Sequence, residues 1–238
     1  MALLKVLDED RALAERVAER FVVLTRDAAA ARGAAMVCLT GGATPKRTYE
    51  LLATEPWQKR LPWERVHVYW TDERHVPPDH HESNYGMAWN ALLMHVPIPA
   101  SHVHRIRGEL PPDEAARLYE RELPDRFDLT LLGVGEDAHV ASIFPGSDLL
   151  AESQRRVAAA WAPHLKTYRI SLTPPTLLGS AHLLVLVAGA SKAPAVAAAF
   201  DKPTNVQRYP VHLLREAGDR VEWLIDRAAA RDVSSRHA

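Results

Sequence analysis

Leu129-Thr130-Leu131-Leu132-Gly133-Val134-Gly135-Glu136-Asp137-Ala138-His139 is the stretch that decides how this chain folds. Its first four residues are apolar or β-branched at consecutive positions, so a strand here would turn no polar face to water. Strands of that kind suit the centre of a parallel sheet covered by helices on both sides. Leu183-Leu184-Val185-Leu186-Val187 has the same character. Outward from these two runs, short apolar segments alternate with amphipathic ones, which is the pattern of βα units. Strands are expected at Leu3–Leu7, Met36–Leu39, Val66–Trp70, Val103–Ile106, Leu129–Gly133, Arg156–Trp161, Tyr168–Leu172, Leu183–Ala188 and Val221–Ile225. The expected fold class is therefore α/β, a doubly wound, mostly parallel sheet with helices on both faces.

Helix signals fill the gaps. Leu13, Val17, Phe21 and Leu24 form a core-facing stripe at three- and four-residue spacing. A second helix is expected with Thr44 as N-cap and Pro45 at the first helical position. A third opens after Ser83 and runs to His95, where Pro97 stops it. Two more are expected over Asp113–Glu122 and Ser191–Phe200, and Asp201–Leu214 reads as a surface loop. No internal repeat, linker or composition break marks a boundary, so residues 1–238 are expected to form a single domain.

Bulk properties narrow the function classes. Lys+Arg number 29 against 30 Asp+Glu, a formal net charge of -1. That balance argues against nucleic acid or an anionic membrane as partner, so any anion must be captured by a local cluster of donors. The single cysteine, Cys38, lies in an apolar strand and excludes an internal disulfide. No signal peptide is expected, because Lys5, Asp8, Glu9 and Asp10 interrupt the N-terminal apolar run, and Leu183–Ala190 is far too short to span a membrane. The expected localisation is cytoplasmic.

In doubly wound sheets ligands gather beyond the carboxyl ends of the strands, and the most unusual segments fall there. Thr40-Gly41-Gly42-Ala43-Thr44-Pro45 is either a plain β-to-α turn or a phosphate cradle, in which two glycines bring backbone N–H groups close to an anion at a helix start. Thr71-Asp72-Glu73-Arg74 packs two acids and an arginine at a strand end, and Arg74 can grip a phosphate bidentately. Asp79, His80 and His81 nearby could suggest a metal, but adjacent residues point apart on most backbones, so a solvated loop is expected and no metal site. Residues 133–138 satisfy the dinucleotide pattern G-x-G-x-x-G/A, yet Ala158, Ala159 and Ala160 stand where its downstream acid belongs. The segment reads better as a loop carrying a general base, His139, beside acids that can orient it. Arg169, in the Tyr168–Leu172 strand, and Lys192, in the first turn of a helix, are further cations expected at the same sheet edge.

Taken in order, Thr40-Gly41-Gly42-Ala43-Thr44-Pro45, Asp72-Glu73-Arg74 with Val76-Pro77, Ser83-Asn84-Tyr85, and Gly133 to Gly146 resemble the 6-phosphogluconolactonase family. The resemblance runs from near residue 40 to Lys192. It implies a Rossmann-like fold, no metal or organic cofactor, and hydrolysis of 6-phospho-D-glucono-1,5-lactone in the oxidative pentose phosphate pathway. The implied partner is a small phosphosugar lactone, on a monomer or small homo-oligomer. Implied catalytic residues are His139, with Asp137 or Asp72 as its orienting acid. Implied substrate and phosphate ligands are Thr40, Gly41, Gly42, Arg74, Asn84, Arg169 and Lys192, with backbone N–H groups near Gly135 as oxyanion donors. The superfamily's deaminase branch would carry a glutamate five residues beyond its histidine, and here Phe144 stands there. A sugar-phosphate-binding regulator would need a DNA-binding segment for which no residues remain. One departure from the family is Ala138 in place of glycine; a positive φ there would cost on the order of 1 kcal/mol.

Overall fold

The computed structural model describes residues 3–163 and 165–234. In chain order its strands are β1 (Leu3–Leu7), β2 (Ala35–Leu39), β3 (Val66–Trp70), β4 (Asp72–Arg74), β5 (Leu129–Leu132), β6 (Val157–Ala162), β7 (Thr167–Leu172), β8 (His182–Val187) and β9 (Val221–Asp226). Six of them pair in the order β1-β9-β8-β5-β2-β3, every neighbour parallel. Leu129 to Leu132 and Leu183 to Val187 are buried at every position, so both faces of the sheet centre are covered. The doubly wound, mostly parallel α/β fold expected from those runs is the fold of this chain.

Two expected strands do not join that sheet. Arg156–Trp161 and Tyr168–Leu172 correspond to β6 and β7, which pair antiparallel with each other and then with β4 in a separate three-stranded sheet. The reason is the short connection between them: a hairpin yields an antiparallel pair, whereas parallel neighbours require a crossover. Val103–Ile106 is not a strand either. It forms one bridge, Val103 to Val68, before the chain turns with Gly108 N–H bonded to Ile106 O.

The α-helices are α1 (Asp10–Arg32), α2 (Ala43–Leu52), α3 (Asn84–Ala91), α4 (Pro112–Glu122), α5 (Pro174–Leu178), α6 (Ala193–Asp201) and α7 (Arg227–Ala230). The α1 stripe of Leu13, Val17, Phe21 and Leu24 is buried as its spacing requires. Helix α3 stops at Ala91, short of His95, because Leu92 leaves helical dihedrals and a 3-10 turn follows over Leu93–His95. Asp201–Leu214 is not all surface loop: a 3-10 stretch, Pro210–Arg220, buries Val211, Leu213, Leu214 and His212. His212 is satisfied there, Nδ1 accepting Asn205 N–H and Nε2 bonding Ala198 O at 2.7 Å.

The chain moves outward from β2 to β3, then reverses across β2 to β5 and β8. The strand order therefore switches between β2 and β5, and a crevice opens beyond their carboxyl ends. Thr40 follows β2 and Gly133 follows β5, so the two glycine-containing loops face each other across it.

Candidate active site

A cleft of about 410 Å³ occupies that crevice. One wall is residues 40–45. Tyr49 Oη fixes Thr40 by accepting its N–H and donating to its carbonyl, both within 3.1 Å. Helix α2 begins two residues earlier than the sequence suggested: Gly42 is the N-cap, at φ 110°, and Thr44 lies inside the first turn. Pro45 is harmless there because the first helical N–H groups have no partner to lose. Gly41 is glycine for contact reasons, since a Cβ on it would fall 1.8 Å from Asn84 Oδ1. The Asn84 side chain thus lies on the loop, with Nδ2 donating to Asp72 O at 2.9 Å.

A second wall comes from the small sheet. Arg74 on β4 lies directly opposite Arg169 on β7, and both line the cleft. Arg74 Nη1 donates to Glu82 O and Arg169 Nη1 to Tyr168 O, each at 3.2 Å, while Arg74 Nε is buried with no partner among the described residues. Burial and the neighbouring Arg74 charge both pull the Arg169 guanidinium below its ordinary value. Neither arginine forms an ion pair among the described residues. Opposed like charges on paired strands are unfavourable, and an anion between them removes the conflict. Lys192, at the start of α6, lines the same cleft. Asp72 is buried, with Oδ1 accepting from Thr71 Oγ1 at 3.0 Å and Oδ2 from Ser142 Oγ at 2.7 Å.

The third wall is the loop after β5. His139 lines the cleft, and its Nδ1 meets Asp137 Oδ1 at 2.6 Å. Burial pushes the Asp137 carboxyl up, but the His139 hydrogen bond and charge outweigh it and leave it below the ordinary carboxylate value. Asp137 is not itself a lining residue, whereas Asp72 is. Gly135 permits the pair: a Cβ there would lie 2.1 Å from His139 Nδ1. Its N–H donates to His139 O at 2.9 Å, so Gly135 N–H is not free to serve as an oxyanion donor. Ala138 has φ 67° and Ala141 φ 49°, both in the left-handed region. The Ala138 strain is therefore present, and the buried methyl group offsets part of it. Phe144 packs against the imidazole, ring centroids 4.8 Å apart.

Every expected site residue except Asp137 thus lines one cleft, and Asp137 joins it through His139. Ser142 had no role assigned from sequence, although it lies three residues beyond His139 in the same motif; with Thr71 it supplies the hydroxyls that fix Asp72. Pairing of Arg74 with Arg169 was not readable, because β4 is only three residues long. On the exposed loop before Ser83, the donor atoms of His80, His81 and Glu82 come within 4.8 Å of one another. The turn brings together neighbours expected to point apart, although His80 Nδ1 already accepts Glu82 N–H at 3.2 Å. No helix among the described residues is long and apolar enough to cross a membrane.

Comparison with known proteins bears on the family and the fold. The family model described as glucosamine-6-phosphate isomerases/6-phosphogluconolactonase matches residues 8–223. A 6-phosphogluconolactonase of Nostoc is 34% identical over 97% of this chain and 98% of its own length. One from Haemophilus influenzae is 33% identical over 91% of this chain and 94% of its own. Among solved structures, the 6-phosphogluconolactonase of Trypanosoma brucei superposes with a TM-score of 0.87 at 26% identity, covering 98% of this chain and 99% of that one.

Proposed function

The chain belongs to the glucosamine-6-phosphate isomerase/6-phosphogluconolactonase family, and from that premise we propose that it hydrolyses 6-phospho-D-glucono-1,5-lactone to 6-phospho-D-gluconate. This is the second step of the oxidative pentose phosphate pathway, carried out in the cytoplasm by one domain acting as a monomer or small homo-oligomer. The observation that carries the reading is a single cleft shared by an Asp-held imidazole and two opposed guanidiniums that form no ion pair among the described residues.

The 6-phosphate lies between Arg74, Arg169 and Lys192, against the N–H groups of the Gly41-Gly42 loop that leads into α2. Asn84 and Thr40 complete that end of the cleft. With Asp137 accepting the Nδ1 proton, His139 keeps its Nε2 lone pair for water. Water attacks C1 as Nε2 takes its proton. The tetrahedral intermediate then breaks its bond from C1 to the ring oxygen, and the imidazolium returns the proton to that oxygen. Asp137 stabilises the transient imidazolium. Asp72, fixed by the hydroxyls of Thr71 and Ser142, forms part of the sugar-binding wall. No step needs a metal or an organic cofactor. Phe144 argues against deamination, because it places a ring where that chemistry needs a carboxylate.

The test is a coupled assay on freshly generated lactone, corrected for spontaneous hydrolysis, run beside glucosamine 6-phosphate. His139→Ala is expected to lower kcat by about 10²–10⁴-fold with little change in KM. Arg74→Ala is expected chiefly to raise KM. Near-normal kcat in His139→Ala, or turnover of the amino sugar in preference to the lactone, would overturn the proposal.

A further inference from the structure

Glu73 lies next to two cleft residues, yet its carboxylate points away from the cleft into the protein. It is buried and receives four hydrogen bonds. Oε1 accepts Arg74 N–H and Asn84 N–H, both at 2.7 Å. Oε2 accepts Tyr85 N–H at 2.7 Å and Ser83 Oγ–H at 3.1 Å. Ser83 Oγ in turn accepts Gly86 N–H at 3.0 Å, capping α3. One side chain therefore ties β4, which carries Arg74, to the first turn of α3, which carries Asn84. Two further contacts extend the link into the cleft: Asn84 rests on Gly41, and Asn84 Nδ2 bonds Asp72 O.

We propose that Glu73 is the positioning residue of the anion grip, setting Arg74 and Asn84 against the Gly41 loop without touching substrate. The inference rests on the phosphosugar reading above and names the residue that tunes it. Two physical effects combine. Four donors converge on two oxygens from two elements, so moving either element breaks short charge-assisted bonds. The negative charge also sits beside the opposed Arg74 and Arg169, and its field favours the charged form of Arg169. Burial holds the Glu73 carboxyl above its ordinary value, although the N–H groups of Tyr85, Asn84 and Arg74 pull it down. Those donors explain why a carboxylate rather than an amide occupies the position. A glutamine would turn an NH₂ group toward backbone N–H donors, and an aspartate would fall one methylene short.

The experiment compares wild type with Glu73→Gln and Ser83→Ala, measuring lactone kcat and KM together with inhibition by inorganic phosphate. For Glu73→Gln, KM and the phosphate inhibition constant are expected to rise together by about tenfold or more, with kcat within about threefold of wild type. Ser83→Ala removes one of the four donors and keeps the charge, so a smaller rise in both constants is expected. It gives a reading if Glu73→Gln does not fold. Unchanged KM and unchanged phosphate inhibition in the folded fraction, even with a lowered melting temperature, would overturn the proposal by making Glu73 purely structural. Phosphate binding is also measured by calorimetry, which needs no turnover. If the wild-type protein binds phosphate but leaves the lactone untouched, the substrate reading fails while the Glu73 comparison still decides its own question.

Discussion

A methyl group at position 135 would stand 2.1 Å from His139 Nδ1 and 2.6 Å from Asp137 Oδ1, closer than any non-bonded approach. Gly135→Ala must therefore push the imidazole off its acid. A displacement of about 1 Å is enough to cost roughly 10²-fold in rate, so kcat of Gly135→Ala is expected to fall by about that factor. Ala138, in the same loop, is held in its left-handed conformation from both sides: its N–H bonds Gly135 O at 3.0 Å and its carbonyl accepts Val211 N–H at 2.9 Å. Glycine there would relieve about 1–2 kcal/mol of strain. It would also lose a buried methyl worth about 0.8 kcal/mol and add unfolded-state entropy worth about 0.4–1 kcal/mol. Because these terms nearly cancel, Ala138→Gly is expected to change stability by less than about 1 kcal/mol, read by denaturant unfolding. A clear gain or loss beyond that would show that one term has been misjudged.

At the scale of elements, β4 is the segment the sequence concealed. Its three residues, Asp72-Glu73-Arg74, carry too little pattern to mark a strand, and the three-stranded sheet they complete draws on a hairpin almost a hundred residues later. By contrast, β3 and α1 were legible because an apolar run and a 3.6-residue stripe record burial locally, and β1 was legible as an apolar run although it leaves Leu3 and Val6 exposed. Motif residues such as Gly41, His139 and Lys192 were legible as chemistry; their convergence on one cleft needed the strand order. The acid that orients His139 was left open between Asp137 and Asp72, because both flank strands whose ends meet only in the folded sheet. The β4–β7 pairing carries its own prediction. Since Arg74 and Arg169 face each other with no ion-pair partner among the described residues, Arg169→Met is expected to be neutral or to stabilise the ligand-free protein by about 0.2–1 kcal/mol. Inorganic phosphate is expected to raise the melting temperature of the wild type, and the substitution should erase that rise. Thermal unfolding with and without phosphate reads both effects. An Arg169→Met protein destabilised in phosphate-free buffer, yet still stabilised by added phosphate, would contradict the anion site.

Over the whole molecule, the first loss of stability in acid is set by histidines that do not line the cleft. On the outer edge of the sheet, His67 stacks on His102 with centroids 3.8 Å apart, and His67 Nδ1 meets His104 Nε2 at 3.2 Å. Burial, then the charges of His102 and His104, lower the His67 pKa below its ordinary 6.5; burial and His102 do the same to His104. Glu122 stands 3.7 Å from His104 Nδ1, too far for a hydrogen bond, and does not reverse the effect of burial. His182 and His212 are lowered as well, burial again leading. A histidine whose folded pKa is depressed binds its proton more readily in the unfolded chain, so stability is retained above about 6.5 and lost as the pH falls through that value. The lowered carboxylates, among them Asp137 and Glu109, have the same sign but act only as the pH falls below their ordinary values near 4. Two acid phases are therefore expected in the melting temperature, a first decline beginning near pH 6.5 and a second below about pH 4.5. Replacing His67 and His104 together by glutamine removes two of the four lowered histidines among the described residues and should flatten the first phase, leaving the second in place. A double variant whose melting temperature falls as steeply as that of the wild type between pH 7 and 5.5 would show that the stack does not set the acid limit.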